Sequence, residues 1–246
     1  MLLTESTDIS NVLYEGPLEF NESAEHSDEH RSGSRYGKIT RLERPTVTIG
    51  MPVWWNVAQM FLVEGRPLPP AIEMLLREAD FFLVRLACSF RPGRDAQVEW
   101  ARFSVCLRSR QRGVPDPIAF DLHPLEIYDQ VKRSVNMTIS PSLKFSEVAD
   151  VSLGSAVVEI PYKELVPVII AAGIQESDFS WDMRERKEHP LHGARWFHAL
   201  VRCGHGTLGI EASFNMVADV KTQQGWILRS TLLAKNTANL SCIICV

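Results

Sequence analysis

An alternation of apolar and polar side chains between Leu208 and Val220 most strongly limits what this chain can fold into. The stretch reads LGIEASFNMVADV, in which every even-numbered position is apolar and most odd-numbered positions are polar or small. Successive side chains of a β-strand point to opposite faces, so this pattern is typical of a strand with one buried face. The segment is therefore predicted to be a half-buried strand.

The same period of two recurs through the middle of the chain. Val131–Ile139, Ile118–Leu122 and Ala101–Leu107 alternate in the same way. Further candidate strands are Phe81–Phe90, Val47–Gly50, Val151–Ile160, Val166–Ile170, Ala194–Cys203 and Trp226–Leu233. About nine or ten short strands with turn residues between them indicate a mainly β fold, an antiparallel β-sandwich or a partly open barrel.

Two turn signals are each predicted to close a β-hairpin. Pro92–Gly93 suits the central positions of a type II turn after the strand Phe81–Phe90. Gly204–Gly209 is predicted to join Ala194–Cys203 to the alternating strand that follows, with glycine supplying the positive φ that such a turn needs.

Helical spacing of apolar residues is concentrated in the first third of the chain. A stripe at i, i+3, i+4 and i+7 predicts an amphipathic helix over residues 70–79, with Pro70 suited to its first turn. This stripe consists of Ile72, Leu75, Leu76 and Ala79. A second stripe starts at Trp54, so residues 54–79 are predicted to form a small helical element at one end of the β domain. A parallel α/β fold is excluded because it needs helices between most strands.

The distribution of charge divides the chain into three segments. Residues 1–30 carry eight acidic side chains and no Lys or Arg. Residues 1–42 are therefore predicted to be a flexible acidic arm, which either stays solvated or becomes ordered on a partner. Residues 43–235 contain no linker and are predicted to fold as a single β-sandwich domain. Residues 236–246 form an apolar tail that contains two cysteines.

Composition narrows the class of protein. The net charge of −4 and the absence of a basic stripe argue against nucleic-acid binding. No apolar run approaches the roughly 18 residues that a membrane-spanning helix needs. The first residues, MLLTESTDIS, lack the basic start of a signal peptide. Five scattered cysteines then indicate thiols in a reducing compartment, and a cytoplasmic location is expected.

The sequence GHGTLG at Gly204–Gly209 matches the dinucleotide fingerprint G-x-G-x-x-G. That motif requires a following helix that faces the pyrophosphate and an acidic residue about 20 positions later. Here the following segment alternates as a strand, and Gln224 stands where the acid would be. We therefore interpret the glycines as a turn and predict no dinucleotide cofactor.

A group of potential zinc ligands occurs in the same neighbourhood. His189 and His192 form a His-x-x-His pair, and Cys203 and His205 form a Cys-x-His pair. Zinc prefers four tetrahedral nitrogen and sulfur donors, so these four residues define a candidate metal site. The spacing is not that of a known finger, and solvated or locally hydrogen-bonded histidines are the alternative.

Motifs for catalysis are missing. The sequence contains no G-x-S-x-G elbow, no Walker A loop and no H-E-x-x-H helix, so an enzyme is not favoured.

Trp181 lies in the polar run SDFSWDMRERKEHP, which we interpret as a loop. An exposed tryptophan there would be an aromatic anchor for a partner, whereas packing onto the nearest sheet is the alternative.

The tail LSCIICV has three interpretations. It is a closing β-strand, or it docks onto a partner by extending a sheet, or it is acylated at its cysteines. The cysteines do not fit the prenylation box, so acylation would be reversible. The residues assigned to partner binding or acylation are Cys242, Ile243, Ile244, Cys245 and Val246.

Together these features predict a non-enzymatic protein-binding module, an adaptor or a subunit of a larger assembly, that engages a protein partner through the acidic arm and the apolar tail. One alternative is a lipid-anchored or membrane-active protein that acts through Cys242 and Cys245, with peripheral contact to the membrane. The other is a zinc-dependent protein with a site near residues 189–205.

Overall fold

A computed structural model describes residues 9, 11–20, 43–63, 65, 67–94, 96–139, 144–146, 156–222, 227–231 and 241–244. This part of the chain contains two helices, α1 (Val57–Val63) and α2 (Pro70–Glu78), and fifteen strands. The strands are β1 (Val12–Pro17), β2 (Glu19–Phe20), β3 (Thr46–Gly50), β4 (Val53–Asn56), β5 (Asp80–Arg91), β6 (Ala96–Ser109), β7 (Ile118–His123), β8 (Glu126–Ile139), β9 (Lys144–Ser146), β10 (Ala156–Ala172), β11 (Asp178–Arg184), β12 (Gly193–Cys203), β13 (Ile210–Thr222), β14 (Ile227–Thr231) and β15 (Ser241–Ile244).

The strands form two antiparallel sheets. Sheet A has the order β1-β3-β5-β12-β7, and β4 also pairs with β5. Sheet B has the order β2-β14-β13-β6-β11-β10-β8-β9, and β15 also pairs with β13. The two sheets pack together and are not closed into a barrel, so the mainly β sandwich predicted from the alternation is confirmed, as is the small helical element.

The core lies between the two sheets. Phe103 of β6 is its centre, with ring centroids 6.4 Å from Trp181, 5.9 Å from Phe197 and 6.1 Å from Phe214. Trp181 in turn lies 4.7 Å from Phe197, which belongs to the opposite sheet. All four side chains are buried, so aromatic contacts join sheet B to sheet A at the centre of the interface.

The alternation in β13 places its apolar side as predicted. The even-numbered residues from Ile210 to Val220 are buried, while Glu211, Ser213 and Asn215 stand on the other face. Leu208 precedes the strand and is exposed, so the predicted segment begins two residues too early.

Both predicted hairpins are wrong. The strands on either side of Pro92–Gly93, β5 and β6, belong to different sheets, and so do β12 and β13 on either side of Gly204–Gly209. Each turn therefore carries the chain from one layer of the sandwich to the other. At Gly93 an added Cβ would lie 2.0 Å from the Glu43 carbonyl oxygen, so glycine is needed there for a close backbone approach.

The polar run that contains Trp181 is a strand, not a loop. β11 pairs with β6 on one side and with β10 on the other. Its buried residues are Phe179, Trp181 and Met183, whereas the intervening positions are polar. Trp181 donates its indole N–H to the carbonyl oxygen of Pro124 over 3.1 Å. The interpretation of Trp181 as an exposed anchor is therefore wrong, because the indole fills the core.

The two helices form one insertion between neighbouring strands. β4 pairs with β5 although residues 57–79 separate them in the chain. Asn56 accepts a hydrogen bond from the backbone N–H of Gln59 over 3.1 Å, so it caps α1. Trp54, predicted to be helical, belongs to β4 and packs edge to face on Phe82. The predicted helix over residues 70–79 matches α2 within one residue.

Strands also occur within the segments predicted to be an arm and a tail. β1 pairs with β3 and β2 pairs with β14, so residues 12–20 are part of the sandwich rather than flexible. Leu18 between them is completely buried. At the other end β15 pairs with Ile210–Ser213 of β13. The rest of the arm and tail, residues 21–42 and 232–240 among them, lies outside the described residues.

Replacing Phe103 with alanine tests the role of the aromatic core. Loss of a fully buried phenylalanine ring removes transfer free energy and leaves a cavity, so we expect the free energy of unfolding to fall by about 3–5 kcal/mol. Chemical denaturation followed by tryptophan fluorescence measures this. Ser104→Ala is the matched control on the outer face of the same strand, where we expect a change within about 0.5 kcal/mol. Equal effects of the two substitutions would contradict the assignment of inner and outer faces.

Candidate functional site

The outer face of sheet A carries a cluster of aromatic and basic side chains, which we call the Arg85 cluster and define as Trp55, Arg85, Trp196, His198 and His123. The inner face of β5 is formed by Phe82, Val84 and Leu86, so Arg85 points to the outer face. Arg85 is paired in register with His198 of β12, which is paired with His123 of β7. Three adjacent strands therefore place these three basic side chains in one row.

Two indole rings hold the guanidinium of Arg85. The guanidinium carbon lies 5.4 Å from the ring centroid of Trp55 in β4 and 4.9 Å from that of Trp196 in β12. Both distances lie within the range of a cation–π interaction. The rings come from the strands on either side of β5, so they fix the guanidinium in place while all three side chains remain half-buried.

Arg85 differs from Arg102, the other arginine that stacks on an indole within the described residues. Arg102 lies over Trp100 at 5.5 Å and also donates two hydrogen bonds to Asp182, of 2.6 and 2.7 Å. In the described part of the chain no carboxylate lies within salt-bridge distance of Arg85. Its Nε–H is buried and has no hydrogen-bond acceptor there. The described residues thus provide no counter-ion for this guanidinium.

The helical element exposes a second surface, which we call the apolar helical surface and define as Leu62, Val63, Met74 and Leu75. Neither α1 nor α2 contains a buried residue. The exposed fractions are 75% for Leu62, 87% for Val63 and 65% for Met74. Exposed apolar side chains are typical of an interaction site where they form a continuous patch.

A polar groove crosses the outer face of sheet B. It has a volume of about 890 Å³ and runs over the middle strands β13, β6 and β11. Small polar side chains form its floor, because Ser104 is paired with Ser180 on one side and Asn215 on the other. Arg102 and Asp178 stand at its sides. The groove can accept hydrogen-bonding groups, but it contains no activated nucleophile.

The described thiols are unreactive at neutral pH. Burial raises the pKa of Cys88 to about 12, and burial and the nearby Asp80 raise that of Cys203 to about 11. Cys106, in the polar groove, has a pKa of about 11 because of partial burial together with a hydrogen bond to the Asp178 carboxylate. Nucleophilic catalysis requires a thiolate, so these three residues do not supply it at neutral pH.

His205 links the turn between β12 and β13 to the helical element. Its Nδ1 lies 3.0 Å from the Asp80 carboxylate, and its Nε2 lies 3.1 Å from the carbonyl oxygen of Arg77 in the last turn of α2. Both partners are acceptors, so both ring nitrogens must carry a proton for the two bonds to form together. The Arg77 carbonyl and then the Asp80 carboxylate raise the pKa of His205 above its ordinary value.

The four predicted zinc ligands do not come together. Cys203 and His205 both lie near Asp80, with the Cys203 thiol 3.6 Å from the Asp80 carbonyl oxygen. His189 lies in a separate turn whose backbone bonds to Arg186, and His192 is exposed. Within the residues described, no three His, Cys, Asp or Glu side chains could hold a metal. The candidate site is wrong because β12 extends between the two halves of the motif.

The GHGTLG segment is a turn between layers. Gly206 has a φ of +72°, and Thr207 donates its hydroxyl to the carbonyl oxygen of Gly204 over 2.6 Å. The chain continues from there into strand β13 and not into a helix. No helix N-terminus therefore follows these glycines to receive a pyrophosphate.

Part of the tail is a β-strand that pairs with β13. Cys242, Ile243 and Ile244 belong to β15, whose main chain pairs with β13, as the closing-strand interpretation predicts. Cys245 and Val246 lie outside the described residues. Partner binding or acylation by this tail stays a prediction.

Sequence reasoning missed both surfaces that the structure brings forward. The sequence does contain a signal for the apolar helical surface. Leu62, Val63 and Met74 fall outside the predicted apolar stripes of the helices, and residues outside such a stripe are expected to face solvent. The Arg85 cluster leaves no comparable signal, since its members come from three parts of the chain.

Comparisons with known proteins add little. No protein-family model matches the sequence, and no curated protein matches it. The fold is similar to Clostridium perfringens delta-toxin with 11% identity and a TM-score of 0.31, over 82% of this chain and 81% of that chain. The Clostridium perfringens NetB toxin in its membrane-inserted form matches with 7% identity and a TM-score of 0.31, over 82% and 88%. The collagen-binding subdomain of the Enterococcus faecalis surface protein ACE matches with 7% identity and a TM-score of 0.27, over 61% and 84%. TM-scores this low carry no argument about this chain.

The His205 contacts predict a pH-dependent stability. In the folded protein the pKa of His205 is raised above its ordinary value near 6.5. The stabilisation that the protonated ring gives to the folded state is therefore complete below about pH 6.5 and is lost as the pH rises through the folded pKa. We expect His205→Gln to lower the melting temperature at about pH 5.5 and to leave it nearly unchanged at about pH 9. Differential scanning calorimetry measures both. A difference that grows with pH would contradict the doubly protonated ring.

The Cys106 contacts predict how its reactivity depends on Asp178. Asp178→Asn replaces a charged acceptor by a neutral one and so removes the negative charge that raises the pKa of Cys106, and the thiolate fraction at about pH 8 should increase. We expect faster alkylation of Cys106 by iodoacetamide, measured by peptide mass spectrometry, with the buried Cys88 as the internal control. An unchanged rate in a folded variant would show that burial alone sets this pKa.

Proposed function

We propose that this chain is a non-enzymatic protein-binding module and that its partner packs on the apolar helical surface. The observation that carries the proposal is that no side chain of α1 or α2 is fully buried in the domain, while Leu62 and Val63 are mostly exposed. Burying a Leu, Val or Met side chain contributes roughly 1.5–3 kcal/mol, so a partner that covers these residues gains substantial free energy.

The position of the helices supports a binding role. They are an insertion between the paired strands β4 and β5, so the sandwich closes without them. The structure holds this insertion in place from both sides, because Asn56 caps α1 and His205 binds the end of α2. A surface that is both apolar and fixed can bind with little loss of conformational entropy.

Charge favours a protein over a lipid surface as the occupant. Interfacial helices that lie on membranes carry Lys and Arg on their polar face. The charged residues of α1 and α2 are Glu73, Arg77 and Glu78, and Arg77 is paired with Glu73 over 2.7 Å. These helices therefore offer no excess positive charge to anionic lipids. Neither described helix has the length and apolarity needed to cross a bilayer.

The acidic arm and the apolar tail have a smaller part in this proposal than their sequences suggest. Residues 12–20 and 241–244 are strands of the sandwich, so their main chains are already engaged. Docking through the remainder of either segment stays a prediction. For the helical surface, in contrast, the exposure of each side chain is known.

The double substitution Leu62→Gln, Val63→Gln tests the proposal. Because both side chains are exposed, we expect the free energy of unfolding to change by less than about 0.5 kcal/mol. We expect the complex formed in the native host to be lost, measured by quantitative affinity purification of each variant with mass spectrometry and by light scattering. The matched control is Leu125→Gln, Ile174→Gln, which removes exposed apolar residues elsewhere and should leave the complex intact.

Three outcomes would contradict the proposal. Strong destabilisation by the helical substitutions would mean that these residues support the fold. A complex that survives them would place the partner elsewhere. A concentration-dependent dimer of the purified wild type that the substitutions abolish would mean that the surface is occupied by a second copy of this chain.

A further inference from the structure

The Arg85 cluster presents a cation for which the described residues supply no counter-ion. A half-buried guanidinium loses part of its hydration, which is costly unless an opposite charge or hydrogen-bond acceptor compensates. The indoles of Trp55 and Trp196 offset part of this loss through cation–π attraction. They provide no acceptor for the N–H groups. Among the described residues the buried Nε–H has no acceptor and the guanidinium has no carboxylate partner, so the charge of Arg85 is left for an anion from elsewhere to compensate.

Arg102 shows what the same arrangement looks like when it is complete. It also stacks on an indole, Trp100, but Asp182 accepts both of its hydrogen bonds in a bidentate geometry. On sheet A the positions paired with Arg85 are Val53 and His198, so neither neighbouring strand supplies a carboxylate. The cluster therefore has the cation and the aromatic support of the Arg102 site without its anion.

We propose that the Arg85 cluster binds the carboxylate of an acidic side chain. A planar guanidinium matches a carboxylate through two parallel N–H to oxygen hydrogen bonds. The cluster contains one permanently charged group, which suits a monoanion better than a phosphate dianion. The imidazole of His198 is paired with Arg85 on the next strand and can donate a further hydrogen bond, and that of His123 lies one strand beyond, with the two ring centroids 6.2 Å apart.

The source of the carboxylate is the protein partner, and in this respect the inference rests on the proposed function. Trp55 directly precedes Asn56, the residue that caps α1, so the cluster and the helical element are neighbours along the chain. A partner segment that covers the apolar helical surface can therefore extend to Arg85. The partner is expected to present an acidic side chain beside an apolar patch.

Titration with short peptides tests the inference on the full chain. The probe is the blocked tripeptide Leu-Glu-Leu, and its isosteric control is Leu-Gln-Leu. Two-dimensional NMR of the ¹⁵N-labelled protein follows the indole N–H signals of Trp55 and Trp196, assigned with Trp→Phe variants. We expect saturable shifts with the Glu peptide and binding at least tenfold weaker with the Gln peptide, because a charge-assisted pair is lost.

Two variants separate the cation from general effects of the sheet surface. Arg85→Gln should weaken binding of the Glu peptide roughly ten- to hundredfold. Arg102→Gln removes the other stacked arginine and should leave the titration unchanged. An equal response of the two variants, or of the two peptides, would overturn the inference. So would saturable indole shifts with inorganic phosphate at lower concentration than with the Glu peptide, because the site would then be one for a free oxyanion.

The helical variant keeps this result distinct from the proposed function. Leu62→Gln, Val63→Gln should leave the NMR response to the Glu peptide unchanged. If that response is absent while partner association still depends on the helical surface, the Arg85 inference fails alone. If the response is present but association does not depend on the helical surface, the proposed docking surface fails and the carboxylate site stands.

Discussion

Packing of two antiparallel sheets through one aromatic cluster determines where everything else in this molecule can lie. Phe103 and Trp181 of sheet B meet Phe197 of sheet A at the centre, and all are excluded from solvent. Each strand of this interface buries the side chains of its inner face in the core. The outer faces and the ends of the sandwich are therefore the places where a ligand or partner can bind, and the Arg85 cluster, the polar groove and the helical element occupy these places.

Strand positions were predictable because burial on one face imposes a period of two. That signal located β13 and the buried side of β6 from sequence alone. It also ran through β11, where Phe179, Trp181 and Met183 alternate, but the polar residues between them were interpreted as a loop. Sheet membership was not predictable. A turn at Gly204–Gly209 looks the same whether it returns the chain to its own sheet or carries it to the other, since only distant pairing partners distinguish the two.

The candidate surfaces also differ in whether neighbouring residues in the sequence suffice to predict them. Exposure of Leu62 and Val63 could be anticipated, because an apolar stripe of a helix has limited width and these residues lie outside it. The Arg85 cluster could not, because its indoles stand about 30 residues before and about 110 residues after the arginine in the sequence. The strand register brings them together. Val53 and His198 are paired with Arg85, and Trp55 and Trp196 each lie two positions from these residues, opposite Leu83 and Ala87 respectively.

The two stacked arginines show how a β-sandwich can keep a charge available. Arg102 is neutralised by Asp182 of an adjacent strand, so its charge supports the sheet and attracts little else. At Arg85 the neighbouring strands supply indoles instead, which hold the guanidinium in position without cancelling its charge. An unpaired, half-buried cation reduces the stability of the free domain. An anion bound there, as proposed, would offset this cost, whereas at Arg102 the carboxylate of Asp182 already does so.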